Sequence, residues 1–161
     1  MRPPRKCPGR GSDPRVAGPS VGVVRLPRDI ASDARHDDVR SALAARTRKL
    51  WSGGSLDAAV VPWTETLQAA LRNPATAVLL QRGLEAAEAT LAAEHRGLAA
   101  LPPEVARRQG GRVSRLLLVT NDGAERFYRQ VERLAVLHAP RVLVCVVDCD
   151  SPTLGGLLYG S

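Results

Sequence analysis

Two short polar groups each follow an apolar run in the second half of this 161-residue chain: Thr120-Asn121-Asp122 after "RLLLV", and Asp148-Cys149-Asp150 after "RVLVCVV". Two aspartates one residue apart at the end of a buried strand can hold Mg²⁺ and present a carboxylate nucleophile to a phosphoryl group. The same letters have a second reading, with Asp122 as a helix cap and Asp148 and Asp150 as solvated loop residues. Only eleven residues follow Asp150, and none of them is the lysine that phosphoryl transfer would recruit. No catalytic residue is therefore expected, and a Mg²⁺-dependent aspartate phosphotransferase is kept as the less favoured alternative.

The remaining chemistry-bearing residues do not assemble into a site by spacing. Cys145 and Cys149 are four residues apart in an apparent strand, about 13 Å at the usual rise, which is too far for a disulfide. Neither shows ligand spacing with His36, His95 or His138, so no metal is expected, and both cysteines read as buried small hydrophobes. "VTNDGAER" has one glycine where a dinucleotide fingerprint needs three and a phosphate loop needs a Gly-Lys pair, so no cofactor is expected. His138 reads as a dipole-complementing or part-buried residue at a helix end.

The elements that position these groups follow from apolar periodicity. "RLLLV" and "RVLVCVV" are continuous apolar runs of the kind buried on both faces of a parallel sheet. Between them "GAERFYRQVERLAVLHA" sets Phe127, Val131, Leu134 and His138 on one helical face, with Asp122 and Glu125 as a capping box. The result is a β-α-β unit, followed by a closing helix with Ser151 as N-cap and Pro152 as first residue. Upstream, "DVRSALAARTRKLW" is expected to be one helix through Leu50, with Val39, Leu43, Arg46 and Leu50 near helical spacing. A loop through "VVPW" leads to "TETLQAALRNP", capped by Thr64 and broken at Asn73-Pro74. "TAVLLQRGLEAAEATLAAEHR" reads as one further helix, with Leu80, Leu84, Ala87 and Leu91 as its stripe. Residues 97–112 read as an inserted loop. The expected fold is α/β: a small three-layer α-β-α sandwich over residues 39–161.

Residues 1–38 are expected to be a disordered basic arm. The first 28 residues hold seven basic residues against Asp13, a net charge of +6, whereas the rest of the chain carries 16 basic and 15 acidic residues. A Pro- and Gly-rich arm without apolar periodicity cannot repay its ordering entropy, and basic arms meet polyanions. No run approaches the roughly 20 apolar residues of a membrane span, so the expectation is an intracellular protein without a membrane partner. Aromatics make up only 3% of the chain, so base-stacking platforms are scarce.

The order helix "RGLEAAEATLAAE", strand "RLLLVTND", helix, strand "VLVCVVDCD" and helix "SPTLGGLLYG" resembles the second half of the kink-turn-binding ribosomal-protein family, over about residues 64–160. The marks are Gly83 opening a helix, a polar pair ending the strand before a long helix, and a leucine-glycine pair within "TLGGLL". Where that family's RNA-reading helix carries polar contacts, this chain has Leu84, Glu85, Ala86 and Ala89. The resemblance therefore implies a divergent ribonucleoprotein subunit of the ribonuclease P/MRP kind, linked to tRNA processing or to a ribosomal particle. It implies a nuclear or nucleolar location in a eukaryote and a cytoplasmic one otherwise. "VVDCDSPTL" also resembles in part the aspartate-nucleophile phosphatase superfamily, with Ser151 and Pro152 where that superfamily has one small residue before Thr.

Two basic clusters are the candidate RNA contacts: Arg46, Arg48 and Lys49 in "RTRK", and Arg107, Arg108, Arg112 and Arg115 around the expected loop. Arginine suits phosphate because its planar fork donates two bonds at once. Such contacts give backbone affinity with little sequence reading. The expected function is an RNA-binding or ribonucleoprotein-scaffold subunit without catalysis, whose partners are structured RNA and protein subunits of the particle. The alternative is a protein-interaction domain that does not bind nucleic acid.

Overall fold

The computed structural model describes residues 25–160. Most of the expected arm, residues 1–24, lies outside the described residues. The ordered domain begins well before residue 39. Leu26 is buried, the Arg25 carbonyl accepts the Val113 N–H at 2.9 Å, and the Leu26 carbonyl accepts Arg112 Nη1 at 3.1 Å. Two helices, α1 (Arg28–Ala31) and α2 (His36–Ala45), follow directly.

The centre of the molecule is a four-stranded sheet of β1 (Thr47–Lys49), β2 (Asp57–Val61), β3 (Arg115–Thr120) and β4 (Val142–Val147). The strands lie in the order β1-β2-β4-β3. β3 and β4 are parallel neighbours, from Arg115↔Val142 to Thr120↔Val147, as the two apolar runs predict. β2 joins β4 in parallel on the other side, and β1 closes that edge antiparallel to β2. All six residues of β4 are buried, which is why its sequence reads as an unbroken apolar run rather than an alternation.

Two expectations for the first half are overturned. The helix does not continue to Leu50: α2 stops at Ala45, and Thr47–Lys49 become β1, with Thr47 opposite Ala59 and Lys49 opposite Asp57. Edge pairing satisfies the backbone there, and the short strand delivers Leu50 to the core at 2% exposure. The stretch leading into "VVPW" is not a loop, because Asp57–Val61 form β2 with Ala58 and Ala59 buried. Alanines and valines beside a covered strand need no larger side chain to fill the space.

The remaining helices are α3 (Glu65–Arg72), α4 (Pro74–Ala77), α5 (Leu84–Ala99), α6 (Pro103–Gly110), α7 (Glu125–Leu137) and α8 (Ser151–Tyr159). Thr64 caps α3 as its sequence predicts, its hydroxyl accepting the Leu67 N–H at 3.2 Å. The single helix expected from Thr76 to Arg96 is instead two. Gly83 has φ +92°, a conformation that other residues rarely adopt, and it separates the short α4 from α5. The expected inserted loop over 97–112 contains α6. Pro103 opens that helix, with Glu104 in its first turn and Arg107 and Arg108 in its last, an arrangement matched to the helix dipole.

The sheet is covered on both faces, giving the three-layer α/β architecture. On one face Leu91 of α5 and Tyr128, Val131 and Ala135 of α7 pack on Ala58, Val119, Val142, Val144 and Val146, with Phe127 against the same cluster. On the other face Leu43 of α2 packs against Ala59, Val113, Leu143 and Cys145. Glu132 ties α7 to the β1–β2 turn. It accepts the Trp51 indole N–H, the Ser55 N–H at 2.6 Å, the Ser55 hydroxyl at 2.7 Å and the Leu56 N–H at 2.9 Å. A Cβ at Gly53 would overlap the Trp51 ring, so the turn is built around that indole.

Burial alone would raise the Glu132 carboxyl, but the hydrogen bonds from Ser55, Trp51 and Leu56 outweigh it and hold it below its usual range. A carboxylate depressed by folding contributes stability that is complete above its unfolded value and is lost as pH falls through its folded value. Thermal melts below pH 4.5 should therefore show a steeper loss of stability for wild type than for Glu132→Gln, which has no carboxylate to protonate. Leu134, 1% exposed, should cost about 2–5 kcal/mol on truncation to Ala, whereas the exposed Leu137→Ala should stay within about 0.5 kcal/mol. Chemical denaturation of the two variants measures both.

Candidate nucleic-acid interface

At the β1 edge of the sheet Arg46, which precedes the strand, and Lys49 are exposed, and Arg48 is half-buried toward α7. Arg48 Nη2 donates to the Tyr128 hydroxyl at 3.4 Å, and its guanidinium lies 5.6 Å from the Tyr128 ring centre. Tyr128 is held in turn, because its hydroxyl donates to the Thr120 carbonyl at 2.8 Å and accepts the Gly123 N–H at 3.0 Å. Arg129 of α7 stacks 4.5 Å from the Trp51 ring centre while pairing with Glu125 at 2.5 Å. Arg126, Arg129 and Arg133 all point to solvent from α7, opposite the buried stripe of Tyr128, Val131 and Leu134. A basic surface therefore runs from Arg48 onto α7, with the partly buried Trp51 ring at its margin and the buried Tyr128 ring behind Arg48.

Each β1 cation has an acidic or aromatic neighbour. Arg46 Nη2 lies 3.7 Å from Asp148 Oδ2, and Lys49 Nζ lies 3.5 Å from Asp57 Oδ1. These pairs are exposed, are worth little to stability and are readily exchanged for a phosphate. The second basic cluster is not part of this surface. Arg115 begins β3 at the opposite edge of the sheet and pairs with Glu94, Arg107 pairs with Glu104 at 3.4 Å, Arg112 holds the Leu26 carbonyl, and Arg108 is exposed on α6. The structure thus brings Arg46, Arg48 and Lys49 together and keeps Arg107, Arg108, Arg112 and Arg115 apart from them. Arg126, Arg129 and Arg133 were missed by sequence reasoning. Their spacing off the apolar face of a confidently periodic helix was the available signal.

The polar groups at the carboxyl ends of β3 and β4 are adjacent, but they are engaged in holding the backbone. Asn121 Nδ2 donates to Asp148 Oδ1 at 3.0 Å. Asp122 does not form a capping box with Glu125, since α7 begins after Ala124. Its carboxylate instead accepts the Ser151 N–H at 3.0 Å and the Ser151 hydroxyl at 2.8 Å. The N-cap of α8 is Asp150, not Ser151, and it accepts the Thr153 N–H at 2.9 Å. The Ser151 backbone hydrogen bond leads in holding Asp122 down to about 2, and hydrogen bonding from Thr153 lowers Asp150. Both carboxylates are thus committed acceptors. Among the described residues no cluster of His, Cys, Asp or Glu is arranged to hold a metal ion.

Cys145 lies in β4 at 1% exposure, with its thiol pushed up to about 11 by burial, while Cys149 follows the strand rather than extending it. Both are free thiols. Burial lowers His138, with the charges of His95 and Arg141 acting in the same direction, so it does not serve as a cation at the end of α7. Glu94 pairs with both Arg115 and Arg141 at the amino ends of β3 and β4. Among the described residues no helix is long and apolar enough to cross a membrane. No family model, curated protein or solved structure matches this chain.

Because Asp150 supplies the cap of α8, Asp150→Ala should lower the melting temperature while Asp150→Asn, an equally good cap, should not. The double variant Asp148→Asn/Asp150→Asn should fold normally. A Mg²⁺-dependent phosphatase turnover present in wild type and lost in that double variant would reverse the assignment.

Proposed function

We propose that this chain is an RNA-binding or ribonucleoprotein-scaffold subunit without catalysis of its own, and that the β1 edge with the exposed face of α7 meets the RNA backbone. The observation that carries this reading is the row of exposed arginines on α7, Arg126, Arg129 and Arg133, beside Arg48, with Arg129 stacked on Trp51. Stacking on a ring restricts a guanidinium, which reduces the entropy lost when it donates to phosphate. The resemblance to the kink-turn-binding family supports the same class of partner and adds the particle: a ribonuclease P/MRP-like or ribosomal assembly whose protein subunits would be the second partner. α5, which the resemblance equates with that family's RNA-reading helix, carries Glu85 in its first turn and contributes no contact to this proposal.

Salt dependence tests the proposal, since each neutralised phosphate releases condensed counterions. Arg46→Ala/Arg48→Ala/Lys49→Ala should weaken binding to unrelated structured RNAs alike and lower the slope of log affinity against log salt by about 0.7–0.9 per lost contact. Arg126→Ala/Arg129→Ala/Arg133→Ala should lower it further. Arg107→Ala/Arg108→Ala/Arg112→Ala/Arg115→Ala should change it least, because Arg115 sits on the sheet edge opposite β1 and Arg112 is held by the Leu26 carbonyl. Removing residues 1–24 measures the share of the basic arm without disturbing Leu26. A wild-type protein with no RNA affinity at low salt, or slopes unchanged in every variant, would favour the protein-interaction reading instead.

A further inference from the structure

Beyond the outer edge of β3, on the flank opposite β1, lies an open cavity of about 390 Å³ that the RNA reading does not use. Its walls come from α3, the α4–α5 connection, α5, β3 and α8, and its lining is mostly apolar: Leu71, Leu80, Leu91, Leu117, Leu154 and Leu158 are representative. Its volume falls within the range of small-molecule sites, and apolar walls with a few polar groups at one place are their usual composition. Leu79, one of its lining residues, is 77% exposed, so an aliphatic side chain continues the apolar wall out to solvent.

The polar groups of this cavity are of one sign. Arg82 and Arg115 line it with Gln81, Thr90 and Ser114, and no acidic side chain does. Arg115 is already engaged by Glu94, which also holds Arg141, and the Thr90 hydroxyl donates to Gln81 Oε1 at 2.6 Å. Arg82 has no carboxylate within ion-pair distance among the described residues. Its guanidinium rests 4.9 Å from the Tyr159 ring centre, which fixes its position at the rim while leaving its donors available. An uncompensated cation at the rim of an apolar recess matches one ligand chemistry: a hydrocarbon body with an anionic head.

We propose that this cavity binds a free carboxylate amphiphile, a medium-chain fatty acid in chemical class, with its chain against the leucines and its carboxylate on Arg82. Isothermal titration of the full chain with dodecanoate below its micelle concentration should give saturable one-to-one binding. Dodecan-1-ol should bind more weakly and dodecyltrimethylammonium should not bind. Arg82→Gln should weaken dodecanoate on the order of tenfold and leave the alcohol unchanged, whereas a purely structural role would weaken both equally. Leu117→Phe, which fills the cavity, should abolish both. Leu80→Trp, placed on the connection outside any helix or strand, should do the same if the β3 substitution fails to fold. Absence of saturable binding, equal loss of both ligands in Arg82→Gln, or binding only to anionic vesicles would each overturn the proposal. So would sedimentation showing a dimer whose formation is blocked by Leu80→Trp, which would make a second copy of the chain the occupant.

Discussion

A strand with no exposed residue must be covered on both faces and paired on both edges, and β4 imposes that condition on everything around it. Each fully buried valine or leucine side chain contributes on the order of 1.5–3 kcal/mol, and Val142 to Val147 place all their side chains inside. One helix layer cannot shelter two faces. α7 and α5 therefore take one side and α2 the other, while β2 and β3 satisfy the edges. Polar function is excluded from this centre and moves to its margins: the carboxyl ends of the strands, the β1 edge and the flank beyond β3.

The parts of the fold legible in the sequence are those whose signal is local and redundant. β3, α7 and β4 were visible because two apolar runs and a helical stripe agree with one another, and Thr64 announced its helix by a cap only three residues from the N–H that donates to it. β1 and β2 were not, because "RTRK" continues a helical pattern and "DAAVV" is too short and too small in its side chains to stand out from a loop. β2 takes its strand character from β4, more than eighty residues away in sequence, and β1 takes its own from β2. Asp122 was misplaced for the same reason: its partner Ser151 is 29 residues away, and the parallel pairing of β3 and β4 brings them together.

The candidate site was legible as residue types and not as geometry. Both arginine clusters could be read, but the sheet order that sends them to opposite edges could not. The acids show the complementary pattern. Glu132, Asp122 and Asp150 spend their charge on N–H and hydroxyl donors of the chain, and Glu94 spends its charge on two arginines. On α7 Glu125 balances Arg129 and Glu132 faces the β1–β2 turn, which leaves Arg126 and Arg133 exposed with no ion pair among the described residues. Charge balance over the whole sequence conceals this, because it counts an acid buried in a turn and an arginine in solvent as equals.

The placement of Cys145 makes the central strand chemically observable. Its sulfur is enclosed between flanking strands and α2, and its thiol is held protonated well above neutral pH, so an alkylating reagent in water meets neither access nor thiolate. Modification at this position requires β4 to separate from its neighbours. The rate at which the native protein takes up label at Cys145 is consequently the reagent's rate on an accessible thiol scaled down by the population of the opened sheet, so its ratio to the rate in the unfolded chain gives the free energy of that opening. A sulfur buried in the central strand thus reports the stability of the core.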